Sequence, residues 1–114
     1  MVPTISKEEL NNKLRRNQHF HLIDVLEPEE YQQLHIKGAI NIPYHKIGYD
    51  AEGNFDKGEE IIVYCSDYDC TSSLIAARKL QQLGYHNIYR YAGGKKEWME
   101  SNMPVEKGSK KNTG

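Results

Sequence analysis

The chain has 114 residues, with 15 basic and 16 acidic side chains and a formal net charge of −1. This length fits one small domain with its own core, and the balanced charge gives no electrostatic basis for binding nucleic acid or an anionic membrane. No stretch approaches the roughly 18 apolar residues of a membrane span, and the N-terminus lacks the apolar core of a signal peptide. Two cysteines are too few for a disulfide framework and fit a reducing compartment. We therefore expect a cytoplasmic protein with neither a nucleic-acid nor a membrane partner.

The first half of the chain alternates between helical and extended patterns. Ser6 and Glu9 form a capping-box pattern ahead of an amphipathic run. Pro28 occupies a first-turn position that helices accept, and the apolar run that ends at Val25 suits a strand buried on both faces. In chain order we expect a helix over 6–17, a strand over 19–25, a helix over 27–35, a strand over 38–43 and a glycine-containing loop over 44–58.

The second half contains the most convincing strand, the β-branched run EIIVYC that ends at Cys65. After Cys65 the apolar residues change to helical spacing, and glycines mark the ends of the elements that follow. These patterns predict a helix over 71–83, a strand over 86–92 and a final helix over 95–101. No apolar residue follows Val105, so we expect one domain over 1–104 and a flexible tail over 105–114. Alternating strands and helices predict an α/β fold with an open, mostly parallel sheet and helices on both faces.

Cys65 is a candidate nucleophile because open parallel sheets bind ligands beyond the carboxyl ends of their strands. The loop that follows offers backbone N–H groups, and the helix after it adds its positive dipole end, a setting that lowers a thiol pKa from about 8.5 to roughly 3.5–7.5. Asp67 and Asp69 oppose a thiolate, since one carboxylate about 8 Å away costs roughly 1 kcal/mol. The residues predicted to form the substrate-binding loop are Ser66, Asp67, Tyr68, Asp69, Cys70, Thr71, Ser72 and Ser73.

A structural role for Cys65 is the alternative, because a cysteine that ends an apolar strand is commonly just a buried side chain. Motifs elsewhere in the chain bear on this choice. The segment LIDVLEPEEYQQLHIKGAINIP over 22–43 resembles the first hallmark of rhodanese-like domains. IIVYC, the Ser-x-x-Ala-Ala pattern from Ser73, LGY and YAGGKKEW match the remaining segments in order, so the resemblance spans about residues 4 to 104.

The resemblance implies a mostly parallel sheet of five strands and a cysteine that accepts a sulfane sulfur as a persulfide and passes it to a thiophilic acceptor. Cys65 matches that position. The partners implied are small sulfur donors, thiol acceptor molecules or a thiol of a partner protein, and we expect no cofactor and no metal. The two cysteines alone lack the further ligands of a structural zinc site.

The chain departs from the usual family pattern at two places. Ser72 stands where the loop arginine of the sulfurtransferases belongs, and the loop is two residues longer. Without a cation in the loop, thiosulfate should be a poor donor, because a charge-assisted contact is stronger than a neutral one by about 1 kcal/mol or more. Phosphatases of the same fold also use a loop arginine, which argues against that activity. Leu26 replaces the arginine that usually follows Asp-Val, which removes a partner from Asp24.

Cys70 matches a subset of rhodanese-like domains with a C-x4-C-x2-S loop. Its thiol could attack a Cys65 persulfide, release sulfide and leave a disulfide, if the two sulfurs can reach bonding distance. Packing under the following helix is the equally weighted alternative for Cys70. Asp24, Lys95 and Lys96 are possible auxiliary residues, the lysines because they follow a strand end on the side of Cys65.

The sequence thus predicts a rhodanese-like sulfurtransferase that carries sulfur on Cys65 and prefers persulfide or polysulfide donors. The alternative is a module of the same fold that is non-catalytic or senses redox state through Cys65 and Cys70.

Overall fold

The structure, a computed structural model, describes residues 2–108. The helices are α1 (Lys7–Arg15), α2 (Pro28–Gln33), α3 (Ile47–Ala51), α4 (Ser72–Gln82) and α5 (Gly94–Glu100). The strands are β1 (His21–Asp24), β2 (His35–Ile36), β3 (Ile40–Asn41), β4 (Ile61–Tyr64), β5 (Ile88–Tyr91) and β6 (Val105–Glu106). No helix within residues 2–108 combines the length and apolar character needed to cross a bilayer.

The central sheet is parallel and has the order β3-β1-β4-β5. The chain therefore runs outward from β1 on one side and from β4 on the other, so the order reverses between these two strands. A single parallel bridge joins Thr4 to Arg90 at the outer edge of β5. The α/β fold with a mostly parallel sheet is confirmed, but within residues 2–108 the central sheet has four strands and this single bridge, where the resemblance implied five strands. Pro3 has no amide hydrogen to donate to a ladder, and α1 begins at Lys7, so the segment has little room to extend.

Helices cover both faces of the sheet, as predicted. The apolar core on one face joins β1, β4 and β5 to α3 and α4, and its members include Ile23, Val25, Ile61, Val63, Cys65, Ala76, Ala77 and Leu80. The core on the other face includes Leu10, Leu22, Tyr31, Ile62, Tyr64, Tyr91 and Trp98, from the same strands and from α1, α2 and α5. Cys65 belongs to the first face and Tyr64 to the second, because successive strand residues point to opposite sides.

The first helix forms with the capping box that the sequence predicts. The Ser6 hydroxyl accepts the amide of Glu9 at 3.1 Å, and the Glu9 carboxylate accepts the amide of Ser6 at 3.0 Å. By contrast, α3 lies inside the segment that was expected to be a loop. Ile47 and Ala51 are buried against α4, and this packing overrides the unfavourable helix propensity of Gly48.

The C-terminal boundary also differs from the expectation. Val105 and Glu106 form β6, which pairs antiparallel with β2, and the indole of Trp98 donates to the carbonyl of Pro104 at 2.7 Å. These contacts place residues 105 and 106 in the folded domain rather than in the expected tail. The pattern of apolar residues gave no sign of this strand because it has only two residues. Residues 109–114 of the expected tail lie outside the described part.

A buried polar network links β1, β4 and β2. The Tyr64 hydroxyl donates to Asp24 Oδ2 at 2.9 Å and accepts the amide of Ile36 at 3.0 Å, while the amide of Leu26 donates to Asp24 Oδ1 at 2.9 Å. The carboxyl group is fully buried, and desolvation raises its pKa above the ordinary value of 3.8 despite these donors.

We predict that Asp24→Asn flattens the dependence of stability on pH. A raised folded pKa means that the folded chain binds the Asp24 proton more tightly than the unfolded chain does. Its contribution to stability is present below the unfolded pKa and is lost as pH rises through the folded pKa. Urea unfolding from pH 4 to pH 8 should therefore show a steeper fall in the parent than in D24N. Parallel curves would contradict the prediction, and exposed Asp50→Asn serves as the control.

Candidate active site

Cys65 follows β4 directly and lies beside the point where the strand order reverses. Crevices at such a point are the usual ligand sites of open α/β sheets. The predicted position of Cys65 at the carboxyl end of a central parallel strand is confirmed. Its side chain is 1% exposed, because the loop and the N-terminal turn of α4 cover it.

Cys65 and Cys70 are joined by a disulfide across the loop. Their Cα atoms lie 6.3 Å apart, within the usual range of about 4.4–6.8 Å for bridged cysteines. The two sulfurs can therefore come into bonding contact, as an attack of Cys70 on a Cys65 persulfide requires. Cys70 is half-buried and packs against the same core as Cys65.

A cation approaches the Cys65 sulfur from a neighbouring strand rather than from the loop. Arg90 of β5 donates from Nε to Ser73 Oγ at 2.8 Å and from Nη2 to the carbonyl of Cys70 at 3.1 Å. Ser73 Oγ lies 3.4 Å from Cys65 Sγ, and the Cys70 carbonyl lies 3.5 Å from it. Because the Ser73 oxygen accepts from Arg90, its own O–H can donate to the sulfur. Arg90 and Ser73 thus form a chain of donors that ends at Cys65.

The sequence reasoning missed Arg90, although strand parity could have found it. Arg90 pairs in register with Val63, and Val63 and Cys65 are two residues apart on one strand. Side chains that are paired or two apart share a face of the sheet, so Arg90 must face the same side as Cys65. The available signal for this was a charged residue, Arg90, inside a strand whose first and last residues, Ile88 and Tyr91, are buried.

The loop backbone differs from the expected cradle of converging amides. Asp67 Oδ1 accepts the amide of Asp69 at 3.0 Å, and the Asp67 carbonyl accepts the amide of Cys70 at 3.2 Å. These two amides close a turn within the loop and do not donate to the sulfur, which corrects the expectation for them. Asp67 thus acts as an acceptor that shapes the loop.

The other loop side chains are distributed between the surface and the core. Tyr68, Asp69 and Thr71 are exposed, Ser66 and Ser72 are half-buried, and Ser73 is buried. The Tyr68 hydroxyl donates to the Glu97 carboxylate of α5 at 3.1 Å, and this hydrogen bond raises the pKa of Tyr68. Among these loop side chains, Ser73 places its hydroxyl oxygen 3.4 Å from the Cys65 sulfur.

Helix α5 holds the start of the loop through its backbone. The amides of Lys95 and Lys96 donate to the carbonyls of Cys65 and Ser66 at 3.0 and 2.8 Å. Gly94, at φ +66°, packs on the loop so closely that a Cβ there would lie 2.7 Å from the Cys65 carbonyl oxygen and 2.9 Å from the amide nitrogen of Asp67. A side chain at position 94 would therefore push the loop away from α5.

The predicted auxiliary residues are placed around the site rather than on the sulfur. Asp24 shares the face of Tyr64, opposite to that of Cys65. The Lys95 ammonium donates to the carbonyls of Glu30 and Leu34 at 3.0 and 2.7 Å, where it binds the C-terminal end of α2. Lys96 lines a shallow surface cavity together with the two aspartates of the loop. Arg90 instead donates to two groups that lie within 3.5 Å of the Cys65 sulfur.

Residues 6–101 match the family model of the rhodanese-like domain, so the chain belongs to the rhodanese-like family. The structure of BH2092 from Bacillus halodurans superposes with a TM-score of 0.87 at 30% identity, over 93% of this chain and 77% of that one.

Two relatives in sequence carry names that bear on function. Thiosulfate sulfurtransferase PspE of Escherichia coli K12 is 38% identical over 89 residues, which are 77% of this chain and 80% of PspE. The putative sulfur carrier protein YrkF of Bacillus subtilis is 28% identical over 97 residues, which are 85% of this chain and 51% of YrkF. The chain covers only part of the length of YrkF and of two further curated relatives, between 38% and 62% of each.

We predict that Gly94→Ala destabilises the fold more than Gly53→Ala. Both glycines have positive φ, and alanine in that region costs about 1–2 kcal/mol at either position. No atom lies within 4 Å of a Cβ at Gly53, so only Gly94→Ala adds a clash with the loop, which costs about 1–3 kcal/mol more. Urea unfolding measures both losses. Equal losses would show that the contact between α5 and the loop does not constrain the backbone.

Proposed function

We propose that this protein is a sulfurtransferase that carries a sulfane sulfur on Cys65 as a persulfide and passes it to a thiol. The observation that carries this proposal is the donor chain from Arg90 through Ser73 to the Cys65 sulfur. The family membership supports it, as do the names of the relatives PspE and YrkF, a thiosulfate sulfurtransferase and a putative sulfur carrier.

The donor chain would act by favouring the thiolate of reduced Cys65. A hydrogen bond from Ser73 strengthens as charge develops on the sulfur, and the guanidinium of Arg90 polarises that hydroxyl from a distance of 2.8 Å. Burial acts in the opposite direction, because an apolar environment raises a thiol pKa. The nearby cation therefore offsets a cost that the buried position imposes.

The transfer itself needs two displacements. The Cys65 thiolate attacks the terminal sulfur of a persulfide or polysulfide, forming Cys65–S–SH as the donor's S–S bond breaks and the shortened donor leaves as an anion. An acceptor thiolate then attacks the outer sulfur, takes it as a new persulfide and leaves Cys65 as the thiolate. Electrons balance in both steps, since each exchanges one S–S bond for another. No cofactor enters this scheme.

Thiosulfate should remain a poor donor. The Nε and Nη2 donors of Arg90 are already directed at Ser73 and at the Cys70 carbonyl, so they do not present a free two-pronged site to a dianion. The exposed part of the loop carries Asp69 and places no cation of its own beside the sulfur. A neutral or singly charged persulfide meets less repulsion there.

Cys70 adds a second route for the Cys65 persulfide. Its thiolate can attack Cys65 Sγ, so that the Cys65–Cys70 bond forms and hydrosulfide leaves. That reaction would give the same Cys65–Cys70 disulfide as in the structure, and an external thiol would have to reduce it before the next cycle. This requirement favours a reducing compartment such as the cytoplasm, with a small thiol or a protein thiol as the partner.

The same disulfide also favours the second candidate function, a redox-sensing module without sulfur transfer. With the bridge closed, Cys65 is buried and the loop tip, Tyr68, is 65% exposed. Reduction would remove the covalent link that holds the two ends of the loop together. A binding partner that reads the loop would then distinguish oxidised from reduced protein. The two functions differ in whether Cys65 accepts sulfur.

Intact mass after treatment of the reduced protein with polysulfide separates the two functions. We expect Cys70→Ser to gain and retain one sulfur atom, because the persulfide has no resolving thiol. The parent should end as the disulfide with release of sulfide, and Cys65→Ser should gain no stable sulfur. Thiosulfate in place of polysulfide should load C70S far more slowly.

A C70S variant that is folded and reduced but gains no sulfur, while the parent still closes its disulfide with a chemical oxidant, would reject sulfur transfer and favour the redox module. Equal sulfur gain by C65S would place the carrier elsewhere in the chain.

A further inference from the structure

Three side chains of types that bind metal ions lie close together at the amino ends of β1 and β4, the end of the sheet opposite to Cys65. His19 precedes β1, His21 is its first residue, and Glu59 lies just before β4. The Nε2 atom of His19 lies 3.1 Å from Glu59 Oε2, and Nε2 of His21 lies 3.3 Å from Glu59 Oε1. The three potential ligand atoms all lie within 4.8 Å of one another. From these contacts we propose that His19, His21 and Glu59 bind a zinc ion.

The distances fit the coordination that zinc requires. Bonds of about 2.0–2.1 Å in a tetrahedral site place neighbouring ligand atoms about 3.4 Å apart. The contacts of 3.1 and 3.3 Å between each imidazole and the carboxylate are already near that spacing. The side chain of His19 is 80% exposed and can rotate, so the remaining gap between the two imidazoles can close without moving the backbone. Water would take the fourth position.

His21 gives an independent reason to expect a ligand. Its Nε2 atom is buried and makes no hydrogen bond, since the nearby Glu59 oxygen is within ion-pair distance but outside hydrogen-bond geometry. A buried polar atom that lacks a hydrogen bond destabilises a fold. Its ring also packs against Phe55, with 4.3 Å between ring centroids, which limits its orientation. A metal ion would satisfy this nitrogen without moving the ring.

The carboxylate is likewise held in place. Glu59 Oε1 accepts the amide of Asp56 at 2.8 Å, within the loop that leads to β4. Such hydrogen bonds to ligands fix their orientation and are a regular part of metal sites. An ion at this position would join the beginning of β1 to the loop before β4. We therefore expect it to stabilise the domain, independently of the chemistry at Cys65.

The test is a titration of Zn²⁺ into the full chain with both cysteines replaced by serine, so that thiolates do not compete for the ion. Calorimetry should show one ion per chain. His19→Ala is the principal variant because this exposed side chain contributes little to folding. Loss of a side chain that only hydrogen-bonds to a metal ligand weakens metal binding by about 10–100-fold. Loss of the ligand His19 itself should therefore weaken zinc binding by about tenfold or more. The variant Glu59→Gln should do the same while keeping the oxygen that accepts the Asp56 amide.

His45→Ala is the matched control. His45 lies 3.2 Å from Glu27, a contact like that of His19 with Glu59, but within residues 2–108 this pair belongs to no group of three potential metal ligands. We expect this variant to bind zinc as the parent does. We also expect a fixed concentration of zinc to raise the melting temperature of the parent and of H45A by similar amounts and that of H19A by less. Absence of binding, or equal affinity in H19A and the parent, would overturn the proposal, as would an equal loss in H45A.

Discussion

The guanidinium of Arg90 joins three parts of the molecule: the edge region of the sheet, the first turn of α4 and the loop after Cys65. It does so by donating to the Ser73 hydroxyl and to the Cys70 carbonyl. Both acceptors lie within 3.5 Å of the Cys65 sulfur. One side chain therefore contributes to the position of the sulfur, to the end of the loop and to the charge near the site. In the proposed function, Arg90 supplies positive charge near the sulfur, but its occupied donors do not replace the loop arginine as a site for thiosulfate.

The two faces of the sheet divide the structural and chemical tasks. The face of Tyr64 and Asp24 carries a buried hydrogen-bond network that ties β1 and β4 to the small second sheet. The opposite face carries Cys65 with α3 and α4. The backbone of α5 holds the first carbonyls of the loop after Cys65, and Gly94 allows α5 and this loop to approach closely. The loop is thus constrained at its beginning by α5 and at its end by Arg90, while its middle is exposed.

Local signals in the sequence were sufficient for most of the fold. The capping box at Ser6, the continuous apolar strand before Cys65 and the helical spacing after it each depend on neighbouring residues, and all three predictions hold. The features that were missed depend on tertiary contacts. Helix α3 forms because α4 buries Ile47, and β6 is too short to leave a pattern. Arg90 reaches Ser73 and Cys70 beside Cys65, and Glu59 reaches His21, only once the strands pair side by side.

The pH dependence of Cys65 alkylation tests most directly whether Arg90 activates this sulfur. In reduced Cys70→Ser protein, Cys65 is the only thiol, and its rate with iodoacetamide reports the thiolate fraction. We expect Arg90→Gln in this background to raise the midpoint by about 1 pH unit, equivalent to about 1.4 kcal/mol. Arg78→Gln, on the exposed side of α4, should leave it unchanged. A folded R90Q variant with the parent's midpoint would contradict the proposed role of Arg90 in activating Cys65.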